Sequence, residues 1–170
     1  MNKLASKLFE YFVINQRYFA IQKNGYYHAK NQYINSKTIE SILHNKNSFL
    51  CYQEDYNLIK WICFDFDVNK ELIDNGAFDK NKSVFYQELN ISIQKLLDFL
   101  NEKDINYLIE FSGNRGVHIW ILFEENITRQ DGYIIFQAIL DKADIQLDTQ
   151  KFSLDKYPKS LYSSTKTDKG

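Results

Sequence analysis

The apolar run from Leu58 to Phe64 constrains the fold of this chain more than any other segment. It is dominated by aliphatic, β-branched and aromatic residues, as in a buried strand, and it leads directly into Asp65-Phe66-Asp67. Because strand side chains alternate between faces, Asp65 and Asp67 are expected on one side, with Cα atoms about 7 Å apart. The sequence therefore predicts a core strand that presents two carboxylates on one face.

Two carboxylates at the end of an apolar strand repel each other and lose hydration, which a cation between them would offset. Their oxygens suit Mg²⁺ or Mn²⁺, and a pair of such ions can act on both the attacking and the leaving oxygen of a displacement. A second explanation stays open, in which the strand simply ends here and both aspartates are solvated turn residues.

A hairpin is predicted further along the chain, where the strand-like runs Tyr107 to Phe111 and Val117 to Phe123 flank a short turn. Gly113 and Gly116 in this turn allow positive φ and close backbone approach, so amide groups can converge on an anion. Arg115 adds a fork of donors suited to phosphate. A turn of this kind also occurs with no role beyond reversing the chain.

Alternation after the turn divides the second strand of this hairpin into two faces. His118, Trp120 and Leu122 share one face, and the other face is expected in the core. The imidazole of His118 would then lie within reach of whatever the turn binds. A strand histidine is also common as a half-buried structural residue.

Phe64-Asp65-Phe66-Asp67, followed after a helical segment by Ser-Gly-Asn-Arg-Gly-Val-His-Ile-Trp at 112–120, resembles the first two motifs of the archaeo-eukaryotic primase superfamily. The resemblance implies that Asp65 and Asp67 bind divalent metal. It also implies that Ser112, Arg115 and His118 hold the phosphates of an incoming nucleotide. The compact spacing is similar to that of small primase-polymerases of conflict systems and mobile elements.

The same resemblance implies a third acidic ligand, in a hydrophobic-Asp pair on a later strand. Asp148 is the position that we favour, and Asp144 and Asp155 are alternatives. The segment at 157–167 resembles, in degenerate form, a sequence pattern that follows the third acidic motif in many members of the superfamily. By this resemblance, Lys159 or Lys166 could contact the nucleotide phosphates.

Periodicity and turn signals predict an α+β fold. The order around the motifs is β-α-β-β-α-β, the ferredoxin or RNA-recognition arrangement, and the resemblance implies the same core. We expect an N-terminal α/β unit at 1–56 and the catalytic core at 57–170, in one compact domain. The expected elements are helices at 4–13, 37–44, 85–100 and after Thr128, strands at 18–22, 26–30 and 49–53, and a loop at 69–82.

Composition limits the partners and the compartment. The net charge of −1 predicts that this domain alone binds a template weakly and in a salt-sensitive manner. Cys51 and Cys63 have no partner pattern, which favours reduced thiols over a disulfide or a zinc site. The sequence shows neither a signal peptide nor an apolar run long enough to cross a membrane, so a cytoplasmic protein is expected.

The two motifs and the family that they resemble imply a DNA-directed primase-polymerase that transfers nucleotides from NTP or dNTP to a 3′-hydroxyl with two divalent ions. Its expected partners are nucleoside triphosphates, a DNA template, a primer, and a helicase or a fused domain outside this chain. Two alternatives are a metal-dependent nuclease or phosphodiesterase, and an inactive nucleotide- or nucleic-acid-binding module.

Overall fold

The fold is seen in a computed structural model that describes residues 2–24, 26–113, 115–145 and 149–162. The elements in chain order are α1 Lys3–Phe12, β1 Tyr18–Lys23, β2 Tyr26–Asn31, α2 Ser36–His44, β3 Ser48–Cys51, β4 Glu54–Asp55, β5 Leu58–Val68, α3 Lys70–Asp74, α4 Ala77–Lys80, α5 Lys82–Glu102, β6 Leu108–Phe111, β7 Gly116–Thr128, α6 Arg129–Lys142 and β8 Phe152–Tyr157. The α+β class predicted from the sequence is confirmed.

The described residues divide into two compact units. One contains the residues up to 61 together with 123–130 and 162, and the other contains 62–122 and 131–161. Among the helices that the structure describes, none combines the length and the apolarity needed to cross a membrane.

The first unit contains a three-stranded sheet of order β2-β1-β3 in which both pairings are antiparallel. Phe19 of β1 is fully buried and belongs to a cluster with Ala5 and Val13 from α1 and its C-terminal flank and with Ile39 and Ile42 of α2. The short strand β4 also lies in this unit and pairs with the beginning of β5.

The second unit contains strands in the order β8-β5-β7-β6. Strand β8 is antiparallel to β5, and β6 is antiparallel to β7. The chain order β5, α5, β6, β7, α6, β8 combined with this sheet order is that of a ferredoxin-like fold. Two aspartates on β5, an inner strand, therefore have a neighbouring strand on each side.

Aromatic packing fixes which face of β5 is covered by helices. Phe64 of β5 stacks on Phe136 of α6 with ring centroids 4.1 Å apart, and Phe85 of α5 contacts Phe152 of β8. Phe152 lies opposite Val68 in the β5–β8 register, so α5 and α6 cover the face that carries Phe64, Phe66 and Val68. Asp65 and Asp67 consequently project from the other face.

Two local predictions were wrong. The segment at 69–82 is not a loop, because α3 and α4 lie there and Phe78 anchors α4 in a cluster with Val68 and Phe85. Each helix is too short to show a hydrophobic period. For the helix predicted at 37–44 the sequence favours the preceding Ser36 as the N-cap. The N-cap of α2 is instead Asn35, whose side chain accepts a 3.0 Å hydrogen bond from the Thr38 amide.

Replacing Phe136 with Ala should destabilise the protein by about 3–5 kcal/mol, because the ring is fully buried against Phe64 and leaves a cavity. Ile134→Ala on the same helix is the control, since this side chain is 58% exposed and its loss should change stability by no more than about 0.5 kcal/mol. Urea unfolding measures both values. Equal losses would contradict the packing of α6 described here.

Candidate active site

The two aspartates of β5 are the centre of the candidate site. Asp65 and Asp67 project from the same face of β5, as predicted. Further residues of the site lie on β7 and on the turn that precedes it. The Val68 amide donates a 3.1 Å hydrogen bond to the Arg115 carbonyl, which brings the turn beside the end of β5. The structure thus brings the acidic pair and the hairpin motif together.

Asp67 forms the closest ion pair of the site. Its Oδ2 lies 2.6 Å from the Arg115 guanidinium, and both side chains are largely shielded from solvent. The same guanidinium donates a 2.6 Å hydrogen bond to the Val68 carbonyl. Arg115 is therefore held over the end of β5 by two contacts and neutralises one of the two aspartates.

The turn itself is closed by Ser112 and Gly116. The Gly116 amide donates to Ser112 Oγ at 3.0 Å, and the Ser112 amide donates to the Gly116 carbonyl at the same distance. Gly113 has φ +87°, which matches the predicted need for glycine. Residue 114 lies outside the described residues, so the geometry of the complete turn is not assigned.

Gly116 is required for a further reason, close approach. A Cβ built at this position would collide with the Asp67 carboxylate and the Phe66 carbonyl oxygen. The absence of a side chain at 116 is thus what allows Asp67 to lie against the beginning of β7.

His118 lies between two carboxylates. Its Nε2 is 3.3 Å from Asp65 Oδ1, and its Nδ1 is 2.9 Å from Glu110 Oε2. The same Glu110 oxygen accepts a 2.9 Å hydrogen bond from the Trp120 indole. One carboxylate oxygen therefore orients both an imidazole and an indole, with Nε2 directed at Asp65.

A third carboxylate comes from β8. Asp155 lies directly opposite Asp65 in the β5–β8 register, and paired residues of adjacent strands project from the same face. Lys159 Nζ is 3.8 Å from Asp155 Oδ2 and lies over the Tyr157 ring. The structure thus brings Asp155 and Lys159 to the strand that carries the acidic pair.

Other predicted site residues are not brought there. Asp148 and Lys166 lie outside the described residues, so their predicted roles are untested. Asp144 lies elsewhere: it pairs with Lys95 of α5 at 3.7 Å and lines a cavity with Phe66, on the face of β5 opposite Asp65. Of the two alternatives for the third acidic residue, Asp155 is the one near the pair.

The charges of the site are strongly coupled. Burial and the neighbouring Asp65 raise the pKa of Asp67, and Arg115 offsets only part of this effect. Burial acts to lower the pKa of His118, but Asp65 and Glu110 outweigh it and raise that pKa to about 10. The hydrogen bond to His118 lowers the pKa of Glu110 in return. The carboxylates of Asp65 and Asp67 are thus stabilised by cationic side chains.

The donor set fits a divalent cation. Asp65 Oδ1 is shielded from solvent and has no hydrogen-bond partner among the described residues, although His118 Nε2 lies 3.3 Å away. Carboxylate oxygens are the ligands that Mg²⁺ prefers. Within the same described ranges, no three His, Cys, Asp or Glu side chains already converge as a metal-binding group.

Sequence reasoning missed Glu110 and named Asp155 only as an alternative to Asp148. Glu110 stands opposite His118 in the β6–β7 register, so strand alternation in the predicted hairpin could have placed it on the site face. Asp155 follows a leucine in β8 and is itself a hydrophobic-Asp pair on a late strand. That signal was present, but the same pattern at 147–148 competed with it.

The fold and the site together define a class. A sheet of ferredoxin order, with an acidic pair on an inner strand beside a Ser-Gly-x-Arg-Gly-x-His hairpin, is the arrangement that the resemblance to archaeo-eukaryotic primases implied. Residues 10–166 match the model of the TOTE conflict system archaeo-eukaryotic primase domain. The chain belongs to that family, and the recognition made from the motifs is confirmed. No curated protein matches the chain.

Through this family the chain belongs to a superfamily of primase-like nucleotidyltransferases. Domains of that superfamily typically use divalent metals.

Gly116→Ala should lower the free energy of unfolding by about 3 kcal/mol, the upper end for overpacking, because the new methyl group meets a backbone oxygen and a paired carboxylate. Gly113→Ala is the matched control. Apart from its chain neighbours, no atom of the described residues lies within 4 Å of a Cβ at this position, so the expected cost is the strain of its positive φ, about 1 kcal/mol. Urea unfolding measures both losses. If Gly116→Ala lowers the free energy of unfolding no more than Gly113→Ala does, the close approach of Gly116 to Asp67 is contradicted.

Proposed function

We propose that this chain is a DNA-directed primase-polymerase domain that transfers nucleotides from NTP or dNTP to a 3′-hydroxyl on a template. The observation that carries the proposal is the convergence of Asp65 and Asp67 with Arg115 and His118 on one face of β5 and β7. A divalent cation and a triphosphate have opposite charges, and this face offers partners for both.

The carboxylates are proposed to hold two Mg²⁺ or Mn²⁺ ions. Asp65 and Asp67 are the principal ligands, and we take Asp155 as the third because it lies opposite Asp65. When bound, such ions activate the attacking hydroxyl and stabilise the charge of the transferred phosphate. The carboxylates fix where the ions bind, and burial keeps them from being fully hydrated.

The triphosphate is proposed to bind the cationic side of the site. Arg115 is suited to a bidentate contact with phosphate oxygens, and a neighbouring imidazolium at His118 adds a second charged donor. Ser112 and Lys159 complete the set at the turn and at the end of β8. These cations pair with the carboxylates, so bound metal and triphosphate would replace each pair by two new ones.

Two alternatives use the same residues. A metal-dependent nuclease or phosphodiesterase would cleave labelled DNA without added nucleotides. An inactive module would bind nucleotides or nucleic acid without turnover. A nuclease binds no nucleoside triphosphate, so it gives no reason for the cationic side chains of Arg115 and His118 beside the acidic pair. Polymerisation is therefore the better-supported function.

Asp65→Asn should reduce primer extension at least about 100-fold, because it removes a ligand charge while keeping the side-chain volume. Asp141→Asn, at an exposed position on α6, is the control and should extend as the unmodified protein does. Extension is followed on a primed and on an unprimed labelled template with Mn²⁺ and all nucleotides. Undiminished extension by Asp65→Asn would refute the proposal, and cleavage of the template without nucleotides would favour the nuclease.

Glu110→Ala should weaken triphosphate binding by about 10-fold or more, because the imidazole and the indole lose the oxygen that orients them. Glu110→Gln should recover part of the loss, since an amide oxygen can still accept a hydrogen bond. Calorimetric titration of a triphosphate with Mn²⁺ gives the dissociation constants, with exposed Glu124→Ala as the control. The expected affinity is highest for the unmodified protein, lower for Glu110→Gln and lowest for Glu110→Ala. Any other ranking would contradict the orienting role of Glu110.

A further inference from the structure

Strand β6 forms an open edge of the sheet in the second unit. Among the described residues its strand partner is β7 alone, so one side of its backbone faces away from the sheet. All of its residues are exposed. Three of them are apolar, namely Leu108, Ile109 and Phe111, and they are between 47% and 58% exposed. An apolar edge strand of this kind is a template for pairing with another strand.

The ladder between β6 and β7 determines which backbone groups lie on the open edge. The Ser112 amide donates to the Gly116 carbonyl, so these two residues form a hydrogen-bonded pair of the antiparallel ladder. Such pairs alternate with non-hydrogen-bonded ones, and Ile109 and Phe111 occupy the non-hydrogen-bonded positions of the register. Their amide and carbonyl groups consequently point away from β7.

Proteins usually protect an open edge with charged side chains, above all lysine, or with proline. The edge strand β2 of the first unit carries Lys30. Strand β6 has neither lysine nor proline, and its one charged side chain, Glu110, is bound by two ring donors of the candidate site. Phe111 packs edge-on against Tyr86 of α5, yet it remains 58% exposed. The β6 edge is thus left available to a partner strand.

A second copy of this chain fits the edge in antiparallel register. A two-fold axis at Ile109 places this residue opposite its own counterpart, and the outward-pointing amide and carbonyl groups of the two copies then exchange hydrogen bonds. Phe111 lies opposite Tyr107 of the second copy in this register. Aromatic pairs directly opposite each other stabilise antiparallel strands. The isoleucine pair and both aromatic pairs fall on the helix-covered face of the sheet.

Charge selects this register over the neighbouring one. An axis at Glu110 would place two like charges directly opposite each other, which is destabilising. With the axis at Ile109, each Glu110 instead lies opposite Leu108 of the other copy and keeps its contacts with the candidate site. The strand is therefore self-complementary in its backbone groups and in its side chains.

We infer that β6 is a self-association edge through which two copies of this chain pair their sheets antiparallel around Ile109. Residues 107–111 are far fewer than the about 20–30 per side of a stable interface, so the dimer should exchange with monomers. Both candidate sites would lie on the same face of the joined sheet. The inference stands apart from the proposed catalysis, since it rests on the geometry of the β6 edge.

Sedimentation velocity at rising protein concentration measures the association. The unmodified protein should shift from monomer to dimer. Ile109→Lys should weaken the dimer at least about 10-fold, because it places two like charges opposite each other at the axis. Ile134→Lys is the matched control and should dimerise normally. Its side chain is 58% exposed on α6, so the same charge is added away from the edge.

Amide hydrogen exchange tests the pairing without any substitution. The amides of Leu108 and Glu110, which alternation assigns to the ladder with β7, should be protected at every protein concentration. Those of Ile109 and Phe111 should gain protection only at concentrations where the dimer forms. This pattern separates strand pairing from association through side chains alone.

Three results would overturn the inference. They are a protein that stays monomeric at all concentrations, equal dimerisation by Ile109→Lys and Ile134→Lys, and exchange of the Ile109 and Phe111 amides that does not depend on concentration. Asp65→Asn should dimerise as the unmodified protein does. Failure of the catalytic proposal would therefore leave this result unchanged.

Discussion

The site depends on carboxylates that project from adjacent strands and are each neutralised by a cationic side chain. Asp65 and Asp67 repel one another and are costly to bury, so each lies beside a cationic partner, whereas the Asp155 side chain is largely exposed. The partners of Asp65 and Asp67 come from β7 and the turn before it, distant in sequence, and the sheet order β8-β5-β7 brings them together. Lys159 is only four residues from Asp155. The three pairs are Asp67 with Arg115, Asp65 with His118, and Asp155 with Lys159.

The pairs also give a physical basis for the proposed binding of ligands of both signs. A metal ion would replace the cation beside each carboxylate, and a triphosphate would replace the carboxylate beside each cation, so neither side would be left uncompensated. The rest of the unit keeps this arrangement rigid. Phe64 and Phe66 anchor the opposite face of β5 in the core, and Gly116 allows β7 to approach Asp67.

Much of this arrangement could be predicted from sequence because it is local. Alternation placed Asp65 and Asp67 on one face, and the two-glycine turn predicted the hairpin that carries His118. The position of Asp155 could not be derived, because it depends on the register between β8 and β5. A shift of one residue would turn its side chain to the other face. The role of Glu110 was missed because one of its carboxylate oxygens contacts both the His118 imidazole and the Trp120 indole. This arrangement depends on side-chain geometry, which a sequence pattern does not give.

Metal and triphosphate are proposed to meet on the Asp65 face of β5. Anomalous diffraction from crystals grown with Mn²⁺ and a non-hydrolysable triphosphate tests this proposal most directly. We expect Mn²⁺ about 2.1 Å from oxygens of Asp65 and Asp67, with the Arg115 guanidinium moved from Asp67 to the phosphates. Manganese bound elsewhere, with the Asp67–Arg115 pair intact beside a bound triphosphate, would contradict it.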